Sequence, residues 1–302
     1  MTTSPPIIND VITIPRNELI DPKINIIGLT KLSLSEHLLK AGIEQKHLNM
    51  RLNQIWGWLY QKGITDFSKM GNISKDVKSL LSKYFSISLP AIVEKKISAD
   101  GTRKYLLKLS GGHEIETVFI PETDRGTLCI SSQVGCTLTC PFCHTGTQKL
   151  VRNLNPSEMI GQVLIVREDL SEWPTEQNNR VGEARKLSNI VLMGMGEPLY
   201  NFDAVRDAMN IAMDPAGIAL SRRRITLSTS GVVPEIGKVG DEIGCMLAIS
   251  FHATTDEVRN KLVPINKRWN ISQLLQALRD YPRLSNSERI TFEYVMIDKV
   301  ND

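Results

Sequence analysis

The stretch GCTLTCPFCH, residues 135–144, places three cysteines in the spacing CxxxCxxC. Three thiolates on one short loop are able to hold three irons of a 4Fe-4S cube, which leaves the fourth iron for a small molecule. A structural zinc is the main alternative, but it needs four ligands and usually a second, distant pair. His144 adjoins Cys143, and adjacent side chains converge poorly on one ion, so the spacing favours an iron–sulfur cluster over zinc.

Outward from this loop, short apolar strands alternate with helices. The strand candidates span residues 127–134, 190–193, 224–228, 245–251 and 289–297, and the helix candidates span 159–168, 202–213, 234–239, 255–262 and 271–281. Asn155 followed by Pro156 is typical of a helix start, with a capping side chain before a proline. The pattern predicts a parallel sheet covered by helices, with polar residues and glycines at the carboxyl ends of the strands, the active-site edge of β/α barrels.

The first third of the chain has a different pattern. Residues 33–85 show the helical period, with apolar stripes that include Leu34 and Leu38. Residues 90–120 alternate polar and apolar side chains around an Asp-Gly and a Gly-Gly turn, which predicts β-hairpins. We therefore expect a lead-in segment at 1–32, a helical accessory domain with a β-hairpin linker at 33–100, and a core domain at 101–302.

Composition limits the class of protein. The 302 residues are 41% hydrophobic and 23% charged, which excludes global disorder. No apolar run approaches the roughly 20 residues of a membrane helix, and the N-terminus lacks the basic-then-apolar order of a secretion signal. Four of the five cysteines fall within 15 residues, unlike a secreted disulfide framework. We expect a cytoplasmic protein.

The net charge of +3 is unevenly distributed along the chain. Residues 31–110 carry 14 Lys and Arg against 6 Asp and Glu, a surplus of +8. A basic first third indicates a polyanion such as nucleic acid as partner, although a solvated, lysine-rich helical surface gives the same pattern.

Together these motifs resemble the radical S-adenosylmethionine (SAM) enzymes and, among them, the RlmN family of RNA adenine-C2 methyltransferases. The resemblance covers about residues 35–302 and rests on the segments SSQVGC, FCHTGTQ, RNL, MGMGEP, LSTSGVVP, ISFHA, VPINK, EYVMI and, in the helical region, QIWGWLYQKGITDF. It implies an α/β fold, a partial (β/α)6 radical-SAM barrel with five of the six strands present. A small N-terminal helical accessory domain that binds RNA and the β-hairpin linker would precede it.

The resemblance also implies which residues form the site. The residues that match the ligands of a 4Fe-4S cluster are Cys136, Cys140 and Cys143. The residues that match SAM contacts are Gly196, Glu197, Ser228, Ser250, Phe251 and His252.

Two further residues match catalytic positions of the family. Glu116 matches the proton acceptor, and Cys129 matches a cysteine that helps to remove the proton from carbon 2 and to resolve the RNA adduct. A disulfide bond is expected as a family feature. Cys245 has no matching role and stands in an apolar run, so we expect it in the core.

The implied chemistry uses two SAM per turnover. One SAM methylates a protein cysteine; a second, reduced by the cluster, gives a 5′-deoxyadenosyl radical that takes hydrogen from the methylcysteine. The methylene radical then adds to carbon 2 of adenine, which is too electron-poor for polar displacement on SAM. The family's methyl-carrying cysteine lies after the fifth strand, whereas no cysteine follows Cys245 here. We therefore expect a truncation that lacks the C-terminal part of the core domain and is itself inactive in methyl transfer.

The resemblance implies 23S rRNA and tRNA as substrates, a reducing system such as flavodoxin, no membrane partner, and a monomer. The basic region 31–110 and the run 221–224 are expected to contact phosphates. The target adenine must be unstacked to react. Trp56, Trp58 and Tyr60 are candidates for stacking on bases, but Trp56 and Tyr60 share a helix face, which favours a core role.

Three alternatives remain open from the sequence. The first is methylation of carbon 8 of the same rRNA adenine, which a close relative of the family carries out with the same cluster chemistry. A non-catalytic zinc protein that binds RNA would be colourless and would not respond to SAM. A third is a chain without a stable fold, because the sixth strand position would be open.

Overall fold

The computed structural model describes residues 23–123, 125–174, 185–282 and 289–302. Its strands are β1 (Ile24–Asn25), β2 (Phe85–Ser86), β3 (Ala91–Ile97), β4 (Arg103–Lys108), β5 (Glu114–Pro121), β6 (Gly126–Cys129), β7 (Gln133–Val134), β8 (Arg152–Asn153), β9 (Asn189–Leu192), β10 (Ile225–Thr229), β11 (Met246–Ser250) and β12 (Thr291–Glu293). Its α-helices are α1 (Lys31–Lys40), α2 (Gln45–Tyr60), α3 (Lys75–Tyr84), α4 (Pro156–Asp169), α5 (Phe202–Met213), α6 (Val233–Lys238), α7 (Asp256–Leu262) and α8 (Ile271–Arg279). Every strand and helix predicted after residue 125 is present, although the first and last strands are shorter than predicted.

One sheet of eight strands organises the molecule, in the order β12-β11-β10-β9-β6-β5-β4-β3. β6, β9, β10, β11 and β12 pair in parallel, which confirms the predicted α/β fold with five barrel strands. The predicted hairpins are present as antiparallel β3, β4 and β5. They continue the same sheet, because β5 pairs with β6. The domain limit expected between residues 100 and 101 therefore falls within the turn of the β3–β4 hairpin.

Helix α4, the first helix after the cysteine stretch, begins as the sequence predicts. The Asn155 side chain accepts a hydrogen bond from the N–H of Glu158 at 2.9 Å, and the Glu158 carboxylate accepts one from the N–H of Asn155 at 3.0 Å. This capping box, with Pro156 at the first position, satisfies donors that a helix start leaves unpaired. Arg152 pairs with the same carboxylate at 2.7 Å, which fixes β8 to the start of the helix.

Helices α1, α2 and α3 form a helical unit whose buried side chains belong to the same hydrophobic core as those of the sheet. Trp56 is 1% exposed and Tyr60 is fully buried, and their rings pack edge to face at 4.6 Å. Both are thus core residues, as their shared helix face predicts, and neither presents a surface for stacking on a base. Ile26 and Ile27 are also buried in this unit, because β1 pairs with β2. The lead-in expected at 1–32 is therefore packed from residue 24 onward, and residues 1–22 lie outside the described residues.

Several contacts join the helical unit to the sheet unit. Lys31 pairs with Asp214, which follows α5, at 2.8 Å. Arg167 of α4 donates to the carbonyl of Tyr60 at 3.2 Å. The two units are thus packed together directly. Across the described residues, none of the helices is both long and apolar enough to cross a membrane.

Candidate active site at the carboxyl ends of the parallel strands

A cavity of about 160 Å³ opens at the carboxyl ends of the parallel strands. It lies between the loop that follows β6 and the residues that end β9, β10, β11 and β12. The polar and titratable side chains along its wall include Cys136, Cys140, Cys143, Glu197, Ser228, Ser250, His252 and Glu293. Because the carboxyl ends of parallel strands meet at one edge, residues far apart in the sequence come together there. The fold thus assembles the three candidate cluster ligands and most of the candidate SAM contacts.

The cysteine loop, residues 135–149, is closed by tight backbone contacts. Gly135 has a φ of +76°, and a Cβ at this position would lie 2.2 Å from the carbonyl oxygen of Lys149, so a larger residue does not fit. The N–H of Cys143 donates to the carbonyl of Cys140 at 3.1 Å. The loop therefore turns sharply enough for its cysteines to line one cavity.

The thiols of this loop fit an iron–sulfur cluster better than a single metal ion. Cys136, Cys140 and Cys143 are all free. In the part of the chain that the structure describes, no three His, Cys, Asp or Glu side chains converge on one ion. Zinc needs four ligands around one ion, whereas in a 4Fe-4S cube each thiolate binds a different iron. Burial raises the pKa of Cys140 to about 12, so its proton must leave when a metal binds.

Residues 193–198 form the loop after β9 and lie against the loop after β6. Gly196 has a φ of +102°, and a Cβ there would lie 2.5 Å from the Cβ of Gln133. Glu197 is 3% exposed and accepts hydrogen bonds from the N–H groups of Ser230 at 2.8 Å and Leu199 at 3.2 Å. Burial raises the pKa of this carboxyl, although the hydrogen bonds lower it. A buried carboxylate of this kind suits the ammonium group of a bound amino acid.

Three side chains form a hydrogen-bonded cluster across the ends of neighbouring strands. The Glu293 carboxylate accepts from the hydroxyl of Ser228 at 3.0 Å and from the hydroxyl of Ser250 at 2.9 Å. The two serines are candidate SAM contacts, whereas Glu293 was not identified from the sequence. The only feature of the sequence that points to Glu293 is its place in the segment EYVMI, which matches the family.

His252 lies just after β11, with a φ of +58°. Its Nδ1 accepts from the N–H of Val295 at 3.1 Å, and its ring packs edge to face on Phe142 of the cysteine loop at 4.8 Å. Burial lowers the pKa of His252, which favours the neutral ring. Phe251 is directed elsewhere: its ring packs on Phe292 at 5.4 Å, and it is not among the residues that line the cavity.

The two candidate catalytic residues lie outside the cavity wall. The Glu116 carboxylate is half exposed and pairs with Lys104 at 2.7 Å. Its backbone carbonyl accepts from the Ser131 hydroxyl at 2.6 Å. Cys129 ends β6, and burial raises its pKa to about 11. The sequence places both residues near the site, but the structure does not bring their side chains to the cavity wall.

Gln133 links the two loops of the site, and it was not identified from the sequence. Its Oε1 accepts from the N–H of Glu197 at 3.0 Å and from the N–H of Thr137 at 3.1 Å. Its Nε2 donates to Asn153 of β8 at 2.8 Å. One fully buried amide therefore fixes the cysteine loop, the loop after β9 and β8 relative to each other.

All five cysteines are free, so the structure does not support the expected disulfide bond. Three of them line the cavity, and Cys129 ends a strand of the sheet. Cys245 is 3% exposed just before β11, which confirms its predicted place in the core.

The basic run 221–224 lies away from the cavity. Its three arginines form a short turn directly before β10 and are exposed. The cavity, by contrast, takes Ser228 and Ser230 from the far end of the same strand. Any phosphate that these arginines bind therefore lies at the opposite edge of the sheet from the cavity.

The chain is similar to known proteins in both its helical and its sheet parts. The radical SAM superfamily model matches residues 130–302, and the model of the ribosomal RNA large subunit methyltransferase N-terminal domain matches residues 24–87. A protein of Dinoroseobacter shibae named dual-specificity RNA methyltransferase RlmN is 65% identical over 302 residues, covering 100% of this chain and 77% of the relative. The chain belongs to the RlmN family of radical SAM RNA methyltransferases.

Two further similar proteins support this assignment. The protein of the same name from a Ruegeria species is 65% identical, over 100% of this chain and 76% of its own length. A solved radical SAM methyltransferase from Sphaerobacter thermophilus is 37% identical, with a TM-score of 0.81 over 92% of this chain and 78% of that chain. RlmN family membership implies a 4Fe-4S cluster and SAM as cofactors and RNA as substrate. The alternative of a non-catalytic zinc protein is therefore wrong.

Proposed function

We propose that this RlmN family member acts on carbon 2 of adenine in ribosomal and transfer RNA, with Cys136, Cys140 and Cys143 as cluster ligands. The observation that carries the proposal is that these three free thiols and the buried Glu197 line one cavity. The amino-acid end of SAM requires two partners. One is a cluster iron that no thiolate occupies, and the other is a carboxylate that accepts hydrogen bonds from the ammonium group. A 4Fe-4S cluster held by these three cysteines would, when reduced, supply the electron for SAM cleavage.

The protein's own residues bind and orient SAM in this proposal. The Glu197 carboxylate accepts hydrogen bonds from the ammonium group of SAM, and Gly196 lets the backbone of its loop approach the ligand closely. Ser228 and Ser250, held by Glu293, offer hydroxyl oxygens to the sugar. His252 stays neutral and packs on Phe142, which holds the cysteine loop over the cavity. The assignment of roles to Phe251, Glu116 and Cys129 stays a prediction.

The cysteines of the chain fall into two groups. Cys136, Cys140 and Cys143 line the cavity, where SAM cleavage is proposed to take place, whereas Cys129 ends β6 and Cys245 is buried in the core. In the complete reaction two SAM are used per turnover, one for the methyl group and one for the radical.

The partners follow from the proposed chemistry. Cleavage of SAM needs one electron from outside, which a flavodoxin system would deliver. The enzyme is proposed to act as a monomer in the cytoplasm, where its RNA substrates are made. The surplus of +8 in residues 31–110 supports binding of RNA phosphates there.

Product analysis tests the proposal. The chain is reconstituted without oxygen with iron and sulfide, then incubated with SAM, a reductant and either ribosomal RNA or tRNA. We expect 5′-deoxyadenosine to form. Any methylated adenosine in the RNA digests reports the position of attack, and 2-methyladenosine would support carbon 2. 8-Methyladenosine would favour the carbon-8 alternative, and absence of 5′-deoxyadenosine from protein loaded with its cluster would contradict the proposal.

A further inference from the structure

Arg259 of α7 is a fully buried cation behind the cavity. Its guanidinium donates to four neutral acceptors. The Nε donates to the carbonyl of Phe251 at 3.0 Å, and one terminal nitrogen donates to Asn266 Oδ1 at 2.9 Å. The other terminal nitrogen donates to the carbonyls of Ser230 at 2.8 Å and Ser250 at 3.1 Å. Every arm of the guanidinium is therefore engaged, but by oxygens that carry no charge.

A buried charge of this kind is costly unless an opposite charge is close. Within the described residues, no carboxylate forms an ion pair with Arg259. The charged and titratable groups that act on it are Cys140 of the cysteine loop and Asp256 of its own helix, and Arg259 in turn acts on His252. Burial lowers the pKa of Arg259 to about 10, so the side chain remains charged at neutral pH.

Arg259 stands directly behind the cavity that the cysteine loop lines. Cys140 is buried and lines this cavity together with Ser230 and Ser250, whose carbonyls Arg259 holds. A cluster held by three thiolates is an anion, and its charge becomes more negative on reduction. A fixed cation nearby stabilises the reduced form and thereby raises the reduction potential.

The same side chain also fixes the geometry of the SAM side of the cavity. Ser230 follows β10, whereas Ser250 and Phe251 stand at the end of β11. One guanidinium holds the carbonyls of all three. The Ser230 N–H in turn donates to Glu197. Arg259 thus connects the cluster side of the cavity with the carboxylate proposed to hold SAM.

We propose that Arg259 is a positioning residue that supplies the fixed positive charge behind the iron–sulfur cluster and clamps the ends of β10 and β11 around SAM. The inference rests on cluster binding by the cysteine loop, as proposed above. The iron content distinguishes failure of the proposed function from failure of this inference. A wild-type chain that binds no iron contradicts the proposed function, whereas a chain that carries its cluster allows the role of Arg259 to be tested.

The test is a redox titration of the reconstituted chain, followed by electron paramagnetic resonance. Arg259→Gln removes the charge, and Arg259→Lys keeps it. The control is Lys261→Met, which removes an exposed cation of the same helix whose side chain is 69% exposed. For Arg259→Gln we expect a ratio of reduced to oxidised cluster about tenfold lower at a fixed potential, or about 59 mV for one electron. Arg259→Lys and Lys261→Met should stay close to the wild-type potential.

A second readout separates the clamp from the charge. The three donors of a lysine ammonium leave a single nitrogen and cannot reproduce the spread of the planar guanidinium, so Arg259→Lys should bind SAM several-fold more weakly while its potential is retained. Variants are compared only at about four irons per chain and with intact melting curves. An unchanged potential in loaded Arg259→Gln overturns the charge assignment, and unchanged SAM affinity in Arg259→Lys overturns the clamp.

If Arg259→Gln fails to fold, the variant Asp256→Asn provides a second test of the charge. The Asp256 Oδ1 accepts from Asn266 and from the N–H of Ile271, and an asparagine oxygen can replace it. Loss of this negative charge beside Arg259 should shift the cluster potential to a more positive value. An unchanged potential would overturn the assignment in this arm as well.

Discussion

The Glu293 carboxylate accepts a hydrogen bond from the Ser228 hydroxyl at 3.0 Å, although 65 positions separate the two residues. The same Oε2 accepts from Ser250 at 2.9 Å. Three parallel strands, β10, β11 and β12, are therefore joined at their carboxyl ends by one carboxylate. Both serines donate their protons to it, so their lone pairs remain available to a ligand in the cavity.

Replacing Glu293 with Gln should weaken SAM binding. An amide cannot accept from both hydroxyls with equal strength, and its NH2 group competes for the same oxygens. We expect the SAM dissociation constant of the reconstituted chain to rise roughly tenfold, the effect of losing one charge-assisted hydrogen bond. Equilibrium dialysis with labelled SAM measures it. Glu257→Gln, whose side chain is 83% exposed, is the control and should bind as the wild type.

Replacing Glu197 with Gln should change the pH dependence of stability. Burial raises the pKa of Glu197 above its ordinary value of 4.5, so the folded state holds this proton more tightly than the unfolded state. The associated stability is fully present at lower pH and is lost as the pH rises through the raised pKa. The free energy of unfolding of the wild type should therefore fall more steeply with rising pH than that of Glu197→Gln. Urea titrations at several pH values measure this difference.

The same variant gives a second, independent result. Glu197→Gln should bind SAM at least tenfold more weakly, because an amide is a poorer acceptor for an ammonium group than a carboxylate. Glu257→Gln again serves as the exposed control. Equal pH slopes for wild type and Glu197→Gln would contradict the raised pKa of the buried Glu197 carboxyl.

Gly196→Ala should destabilise the chain even without cofactors. The positive φ and the 2.5 Å approach to the Gln133 Cβ leave no room for a methyl group. We expect a loss of about 2 kcal/mol or more in the free energy of unfolding. Gly237→Ala is the matched control, because nothing lies within 4 Å of its added Cβ in α6. It should stabilise by up to about 1 kcal/mol; a similar gain at Gly196 would contradict the close packing of the two loops.

Arg222→Ala should weaken RNA binding without affecting SAM. The exposed run that contains Arg222 precedes β10, at the opposite edge of the sheet from the cavity. Removing one phosphate contact should lower the slope of log affinity against log salt by about 0.9. Filter binding to tRNA at several salt concentrations measures it. An unchanged slope would show that this run does not contact RNA.

Much of the fold follows from local sequence patterns. The Asn155–Pro156 start of α4, the Asp-Gly and Gly-Gly turns and the five apolar strands each depend on neighbouring residues, and each is present. The site was also well indicated, because parallel strands bring their carboxyl ends together whatever the length of the connections.

Other features depend on contacts that no local pattern reveals. Whether the β3–β5 hairpins form a linker or extend the main sheet is decided by the pairing of β5 with β6. Glu116 alternates along a strand and faces Lys104, not the cavity. Gln133, Glu293 and Arg259 acquire their roles only through partners distant in the sequence.

The central claim is that the cysteine loop holds a 4Fe-4S cluster whose open iron meets SAM in the cavity. The most direct measurement is the iron content of the anaerobically reconstituted chain, with electron paramagnetic resonance spectra recorded with and without SAM. We predict about four irons per chain, a spectrum that changes on addition of SAM, and loss of both in Cys140→Ala but not in Cys245→Ala. No iron with one zinc per chain, or a loaded cluster whose spectrum ignores SAM, would contradict the claim.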